Sequence, residues 1–341
     1  MNRPDFKSIL VIRRDNIGDL VCTTPLIAAL REAWPDAWLG ALVNDYTRPV
    51  LDNNPDLDAV FSYQKAKHRA PGQSLLGVYW RRLQMLWHLR RRRIDCVVLA
   101  SPGYQASAER LARMVRARHV VGSAHGTNVA AQRAPGGARA PLHQVEQSFR
   151  LLRALGIAGE PPPLKLVPDA RKRADYKATL AGRRSPVVGV HISAREADRR
   201  WPDARFAELI KVLIDTQGAT VVLTWAPGAR DKPEFPGDDD SAQSLIANSP
   251  KEGLLPLQTR TLSELIASLA VCDVVICSDG GPVHLAAALG KPVVCLFGSE
   301  KPELWHPWRV PYRLLQPASR RVSDIGVDEV LGAYAELIAG R

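Results

Sequence analysis

The run from Val274 to Gly290, VVICSDGGPVHLAAALG, joins a buried apolar strand to a glycine turn and then to a helix start. Few arrangements accept strand, turn and helix in immediate succession, and the combination suits a phosphate. Gly280 and Gly281 let a ligand approach the backbone with no Cβ in the way, and Pro282 has the fixed φ of a first helical position. The unpaired N–H groups of the first turn then face the ligand. With them comes the positive end of a helix dipole, about half an elementary charge, which stabilises a diphosphate without a metal. Asp279 precedes the turn, and His284 lies on its first helical turn, where it adds a hydrogen-bond donor.

The rest of the chain repeats this plan. Ile9 to Ile12 forms an apolar strand, and the segment from Asp19 to Trp34 sets Leu20, Ile27, Leu30 and Trp34 on one helical face. Further strands are expected at Leu39 to Val43, Ala59 to Tyr63, Asp95 to Ala100 and His119 to Gly122. Helices at Leu75 to Leu89 and Ala106 to Val115 alternate with them, as in a parallel sheet. From Ser123 to Leu142 the chain is rich in Gly, Ala, Pro and Arg without periodicity, which reads as a long loop. A helix from Gln144 to Leu155 ends at Gly156, and Pro161 to Pro163 mark an extended connection. The boundary falls there, giving domains 1–165 and 166–341. In the second half the strands Val187 to His191, Thr220 to Thr224, Asp273 to Cys277 and Pro292 to Phe297 alternate with helices at Arg205 to Thr216 and Ser263 to Leu269. The final helix, Val327 to Ile338, fits either domain.

A length of 341 residues with 46% hydrophobic content suits two domains of roughly 150 residues. The net charge of +11 points to an acidic partner: a phosphorylated substrate, an anionic membrane surface or a nucleic acid. Five cysteines without a Cys-x-x-Cys pair lie mostly in apolar runs and read as reduced core thiols of a cytosolic protein. The N-terminal apolar run is too short for a signal-peptide core, and no stretch of about 18 apolar residues is present to span a membrane. Any membrane contact is then peripheral. The histidines lack zinc-ligand spacing, and neither a Gly-x-Ser-x-Gly elbow nor a P-loop occurs, which removes support for acyl transfer and NTP hydrolysis.

Four other clusters carry polar chemistry. Arg13, Arg14, Asp15, Asn16, Ile17, Gly18 and Asp19 follow the first strand, where ligands of open α/β sheets bind. Asp19 is a site candidate there; it is equally suited to capping the helix, with Gly18 merely making the turn. Ser193, Arg199 and Arg200 follow the first strand of the second half, with hydroxyl and guanidinium groups suited to phosphate oxygens, or to a solvated loop. Asp238 to Asp240 resembles a metal-binding carboxylate run but reads as a solvated loop flanked by Pro and Gly. The stretch Tyr79 to Arg93 interleaves Arg81, Arg82, Arg90 and Arg91 with Trp80, Leu83 and Trp87, and Lys65, Lys67, His68 and Arg69 stand nearby. Such a basic helix suits an anionic bilayer or glycolipid, or is an ordinary amphipathic helix.

Three of these segments, RRDNIGDLVCTTPLIAALR (13–31), RRWPDARFAEL (199–209) and SDGGPVHLAAALGKPVVCLFG (278–298), occur in an order that resembles glycosyltransferase family 9, the ADP-heptose:lipopolysaccharide heptosyltransferases. The resemblance covers most of the chain. It implies an α/β GT-B fold with two Rossmann-like domains facing across a cleft, the acceptor mostly in the N-terminal half and the nucleotide sugar mostly in the C-terminal half. By the same resemblance Asp19 is the catalytic base, with Arg13, Arg14, Asn16 and Gly18 around the acceptor. Ser193, Arg199, Arg200, Asp279, Gly280, Gly281 and His284 would bind the donor diphosphate and sugar, with Thr224 and Thr261 bordering the nucleobase. Arg199 stands where the family often has Lys, keeping the charge but changing a point ammonium to a planar fork.

The expected reaction is inverting transfer of heptose from ADP-heptose to the inner core of lipopolysaccharide, with no obligatory metal or other cofactor. Expected partners are the donor, a phosphorylated lipid A/core glycolipid and the anionic inner face of the inner membrane, and not nucleic acid. Two alternatives remain: a GT-B transferase using another nucleotide sugar, and a non-catalytic protein whose basic helix binds nucleic acid.

Overall fold

Ser8–Arg13 (β1) is buried along its whole length, which explains its unbroken apolar sequence: both faces of a parallel sheet are covered. In the computed structural model, which describes residues 4–63, 74–123, 141–231 and 236–340, β1 pairs in parallel with β2 (Trp38–Asn44) and β4 (Cys96–Leu99). Strands β3 (Ala59–Tyr63) and β5 (His119–Val121) complete the order β3-β2-β1-β4-β5. The order turns back between β1 and β4, so the crevice beyond their C-terminal ends is a topological switch point. The long loop from Ser123 to Leu142, except for its ends, and the basic residues at 65–69 lie outside the described residues.

The single helix expected from Asp19 to Trp34 is two helices, α1 (Ile17–Val21) and α2 (Thr24–Ala33). Pro25, in the first turn of α2, has no N–H to extend the ladder of α1. Helices α3 (Leu75–Arg92) and α4 (Ala106–Val115) pack Met85, Leu86, Leu89, Leu111 and Val115 onto Leu10, Ile12 and Val97 of the sheet. Helix α5 (Gln144–Phe149) passes into a 3-10 turn that ends at Gly156, whose φ of +72° is the left-handed end its sequence anticipates. These elements form one compact unit, Met1–Leu166.

The second unit, Val167–Arg341, opens with α6 (Ala170–Thr179). There follow β6 (Val187–His191), α7 (Asp203–Asp215), β7 (Thr220–Trp225), α8 (Asp239–Asn248), β8 (Leu254–Gln258) and α9 (Leu262–Ala270). The chain continues through β9 (Val274–Ser278), α10 (Gly281–Ala288), β10 (Val293–Leu296), α11 (Pro302–Trp305), β11 (Tyr312–Leu315) and α12 (Val327–Ala339). Its parallel sheet runs β11-β10-β9-β6-β7-β8, with a second switch point between β6 and β9. Phe206, Leu209 and Leu213 of α7 are fully buried against Val190, Val221 and Leu223, each side chain contributing about 1.5–3 kcal/mol. The final helix, α12, packs on α7, β10 and β11 of this second unit. All five cysteines are buried and none forms a disulfide. Among the described residues no helix is long and apolar enough to cross a membrane.

Candidate functional site

At the switch point of the first unit, Arg13 is the last residue of β1 and its guanidinium is almost wholly buried. Its Nε lies 2.8 Å from Asp15 Oδ2, its Nη2 donates to Asp19 Oδ1 at 2.7 Å, and its Nη1 donates to the Ala100 carbonyl at the end of β4. A buried guanidinium must be neutralised, and here two carboxylates do so. Asp15 also accepts from Ser101 Oγ at 2.8 Å and Gln105 Nε2 at 2.7 Å. Asp19 is the third residue of α1, and its Oδ2 accepts the Asn16 N–H at 3.1 Å. The side chain that closes the capping box of α1 thus also borders the cavity at the switch point. Burial raises the pKa of Asp19 above the ordinary 3.8; Arg13 opposes this and the Asp15 charge adds to it. The carboxylate opens onto a cavity of about 540 Å³ lined by Arg14, Tyr46, Gln105, Gln144 and Gln147 among others.

At the switch point of the second unit, Gly280 takes φ +150° and caps α10, so Gly281 and Pro282 form its first turn. The proline is thus the second helical residue, one later than expected. Arg199 crosses from the β6 loop with Nη1 3.0 Å from Asp279 Oδ2 and Nη2 2.6 Å from Glu300 Oε1. Ser299 Oγ donates to Asp198 at 2.8 Å, so the loops after β6, β9 and β10 converge. Burial pushes the pKa of Asp279 up to about 6 despite Arg199. His284 is buried with its ring edge-on to Trp305, and burial lowers its pKa to about 4, so at neutral pH the ring is an uncharged donor. Ser278 Oγ, Arg199 Nε and Arg200 Nη2 are buried without a hydrogen-bond partner among the described residues, as are the carboxylate oxygens Asp279 Oδ2 and Asp238 Oδ2; each of the three donors is of a kind that suits phosphate oxygens.

Other expected site residues are spread more widely. Ser193 Oγ accepts the Ala226 N–H at 2.9 Å, joining the loops after β6 and β7. Thr224 is fully buried with its hydroxyl 3.0 Å from His191 Nδ1, and Thr261 is the exposed cap of α9. Arg14 is half-buried at the rim of the cavity with Nη2 3.4 Å from Ser107 Oγ, Asn16 is exposed at the start of α1, and Gly18 is buried within it. Along α3, Arg81 donates to Gly77 O and Arg90 to Met114 O, Arg82 is half-buried, and Arg91 stacks on Trp87.

The expectation of a solvated loop at Asp238–Asp240 is corrected. Asp238 is buried and paired with Arg200, and Asp239 begins α8 while accepting from Trp225 Nε1 at 2.9 Å, Gln258 Nε2 at 2.8 Å and the Gly228 N–H at 2.8 Å. Two arginines, Arg200 and Arg230, neutralise the buried charge. No group of three or more His, Cys, Asp or Glu side chains suited to a metal ion occurs among the described residues. Sequence reasoning missed Ser101, Gln105 and Glu300; the first two follow the end of a central strand, a position that signals a site, whereas nothing local marks Glu300.

The family model described as glycosyltransferase family 9 (heptosyltransferase) matches residues 82–322. The chain belongs to glycosyltransferase family 9. Among members of this family it is 27% identical over 297 residues to a lipopolysaccharide heptosyltransferase 3 from Escherichia coli, covering 85% of this chain and 83% of that one. The solved family 9 glycosyl transferase of Veillonella parvula superposes with TM-score 0.82 at 18% identity over the full length of both chains. An E. coli heptosyltransferase solved with ADP-2-deoxy-2-fluoro heptose superposes with TM-score 0.71 at 19% identity, covering 96% and 99%. The two parallel-sheet units are those of the GT-B fold, and the protein is a glycosyltransferase.

Proposed function

We propose that the chain is an inverting heptosyltransferase that moves heptose from ADP-heptose to the inner core of lipopolysaccharide. The observation that carries this reading is Asp19: a carboxylate of raised basicity, held by Arg13 and open to a polar cavity at a sheet switch point. Asp19 takes the proton of the acceptor hydroxyl as that oxygen bonds to the anomeric carbon from the face opposite the leaving group. The bond from that carbon to the ADP oxygen breaks, and ADP departs with the electron pair. A positioned base of this kind contributes about 10²- to 10⁴-fold.

Arg199, Arg200, the α10 amides and neutral His284 receive the diphosphate, each such donor being worth about 3 kcal/mol toward the departing charge. These groups supply the charge stabilisation, so the reading requires no metal. Arg14, Tyr46 and the glutamines of the cavity suit the hydroxyls and acidic groups of a phosphorylated lipid A/core glycolipid. The choice of heptose and acceptor is supported by the lipopolysaccharide heptosyltransferase 3 relative, and that of ADP by the nucleotide sugar held by the structural neighbour. On this reading the reaction takes place at the cytoplasmic face of the inner membrane.

A thermal-shift panel of ADP, UDP, GDP and CDP, run in EDTA, tests the donor. A nucleotide at 100 times its Kd stabilises the folded chain by about 2.7 kcal/mol. ADP is expected to raise Tm selectively. A selective response to another base reassigns the donor within the fold, and no response to any of the four removes the nucleotide-sugar reading.

A further inference from the structure

Helix α3 has two apolar faces, although a helix packed on a sheet needs one. Met85, Leu86 and Leu89 are buried in the core. Leu76, Trp80, Leu83 and Trp87 recur at the spacing of a second stripe, nearly opposite the first at 3.6 residues per turn. With Tyr79 they are exposed, from 52% at Trp87 to 81% at Leu76. No Asp or Glu occurs between Leu75 and Arg92, while Arg81, Arg82, Arg90, Arg91 and Arg92 do. Arg91 lies 4.4 Å over the Trp87 ring and Arg92 4.6 Å over Trp38, so the cations sit at the margin of the aromatic face. A groove of about 880 Å³ beside edge strand β3, lined by Trp38, Phe61, Trp87, Arg91 and Arg92 among others, extends the same mixed surface.

Contiguous exposed apolar residues on a soluble surface mark a contact site, and their chemistry here selects the partner. Tryptophan favours the headgroup level of a bilayer, where its ring is half in hydrocarbon and its N–H in water. Arginines flanking such a face meet lipid phosphates and acidic headgroups. A second copy of this chain on the same face is disfavoured, because a two-fold contact would set this acid-free helix against its own arginines. We propose that the outer face of α3 docks on an anionic lipid bilayer, with Leu76, Trp80, Leu83 and Trp87 entering the headgroup boundary and Arg81 and Arg91 beside them. The inference is independent of which sugar the enzyme moves.

Cosedimentation of the full chain with vesicles tests it, using phosphatidylcholine alone or mixed with phosphatidylglycerol. Binding is expected only to the mixed vesicles and is expected to weaken as salt rises. Trp80→Ser with Trp87→Ser should weaken binding roughly tenfold or more through the apolar area withdrawn from the interface. Arg81→Gln and Arg91→Gln should each weaken it about fivefold. All four changes are at exposed positions, so each variant should keep its circular dichroism and the nucleotide thermal shift of the parent; loss of that shift in the parent itself would touch the donor reading and not this one. The proposal is overturned by equal binding to neutral and anionic vesicles, by no vesicle binding, or by tryptophan variants that bind like the parent. A dimer in sedimentation velocity that the double tryptophan variant abolishes, without vesicle binding, would assign the face to a second copy.

Discussion

At the end of β1 one guanidinium bridges two carboxylates, Asp15 and Asp19, and at the end of β9 another bridges Asp279 and Glu300. The members of the two pairs exchange places relative to solvent. Arg13 is 2% exposed and its partner Asp19 17%, whereas Arg199 is 23% exposed and Asp279 4%. In the first unit the buried cation holds out a carboxylate, which can accept a proton. In the second the buried carboxylate holds out a cation beside a helix N-terminus, which can receive an anion. On the proposed reading, one ion-pair design serves as a base or as an anion receptor according to which partner is buried, while parallel-sheet topology puts both at the same kind of position.

The largest effect that could break this contrast is expected from Asp19→Asn. It should lower kcat by about 10²- to 10⁴-fold while ADP affinity, measured by calorimetry, stays near that of the parent. Substantial residual turnover would take the base role from Asp19. Arg13→Gln sharpens the comparison next. The Arg13 charge favours ionised Asp19, so its removal should move the acid limb of the kcat/KM profile upward by about one pH unit or more, with Arg13→Lys between the two. An unmoved limb in a folded variant would show that another group titrates.

The smallest effect is on stability. Asp279, with a folded-state pKa of about 6 against an ordinary 3.8, is the costlier group to bury when ionised. That cost is fully present above about pH 6, declines as pH falls through the window between the two values, and is absent below 3.8. Asp279→Asn should therefore stabilise the chain by about 1–2 kcal/mol at pH 7.5, with Arg199 retaining Glu300, and by nothing near pH 3.5. Parallel Tm curves for the two proteins across that range would refute the burial penalty. A gain in stability from losing a site residue is what a trade-off between site chemistry and folding leads one to expect.

The central strands were legible because parallel strands covered on both faces are continuous apolar runs, as at Val187–His191 and Ser8–Arg13. The edge strands β3 and β5 of the first sheet were legible too, whereas β8 and β11, the edges of the second, were not. Strand β8 carries Pro256, which argues against a strand in a sheet interior but is tolerated at the edge where β8 lies. Asp19, Arg199 and the glycine turn declared themselves by their place after strands. Glu300 and the pairing of Asp238 did not, because Arg199 meets Glu300 and Arg200 meets Asp238 across sequence separations that no local pattern encodes. The acidic triplet looked solvated for the same reason: the cations that make its burial tolerable are remote in the chain. On α3 the interleaved arginines and tryptophans were visible, but only burial separates the core stripe from the outer one.

The five buried thiols give the chain a clock. Burial holds Cys96 and Cys272 at a pKa of about 12, pushes Cys22 and Cys277 higher still and raises Cys295 well above its ordinary value, so in the folded protein essentially no thiolate faces an alkylating reagent. Labelling must await opening, and with a reagent that outpaces reclosing its rate counts opening events. Because Cys22 and Cys96 belong to the first unit and Cys272, Cys277 and Cys295 to the second, the peptides that acquire the label record separately how often each half of the enzyme comes apart.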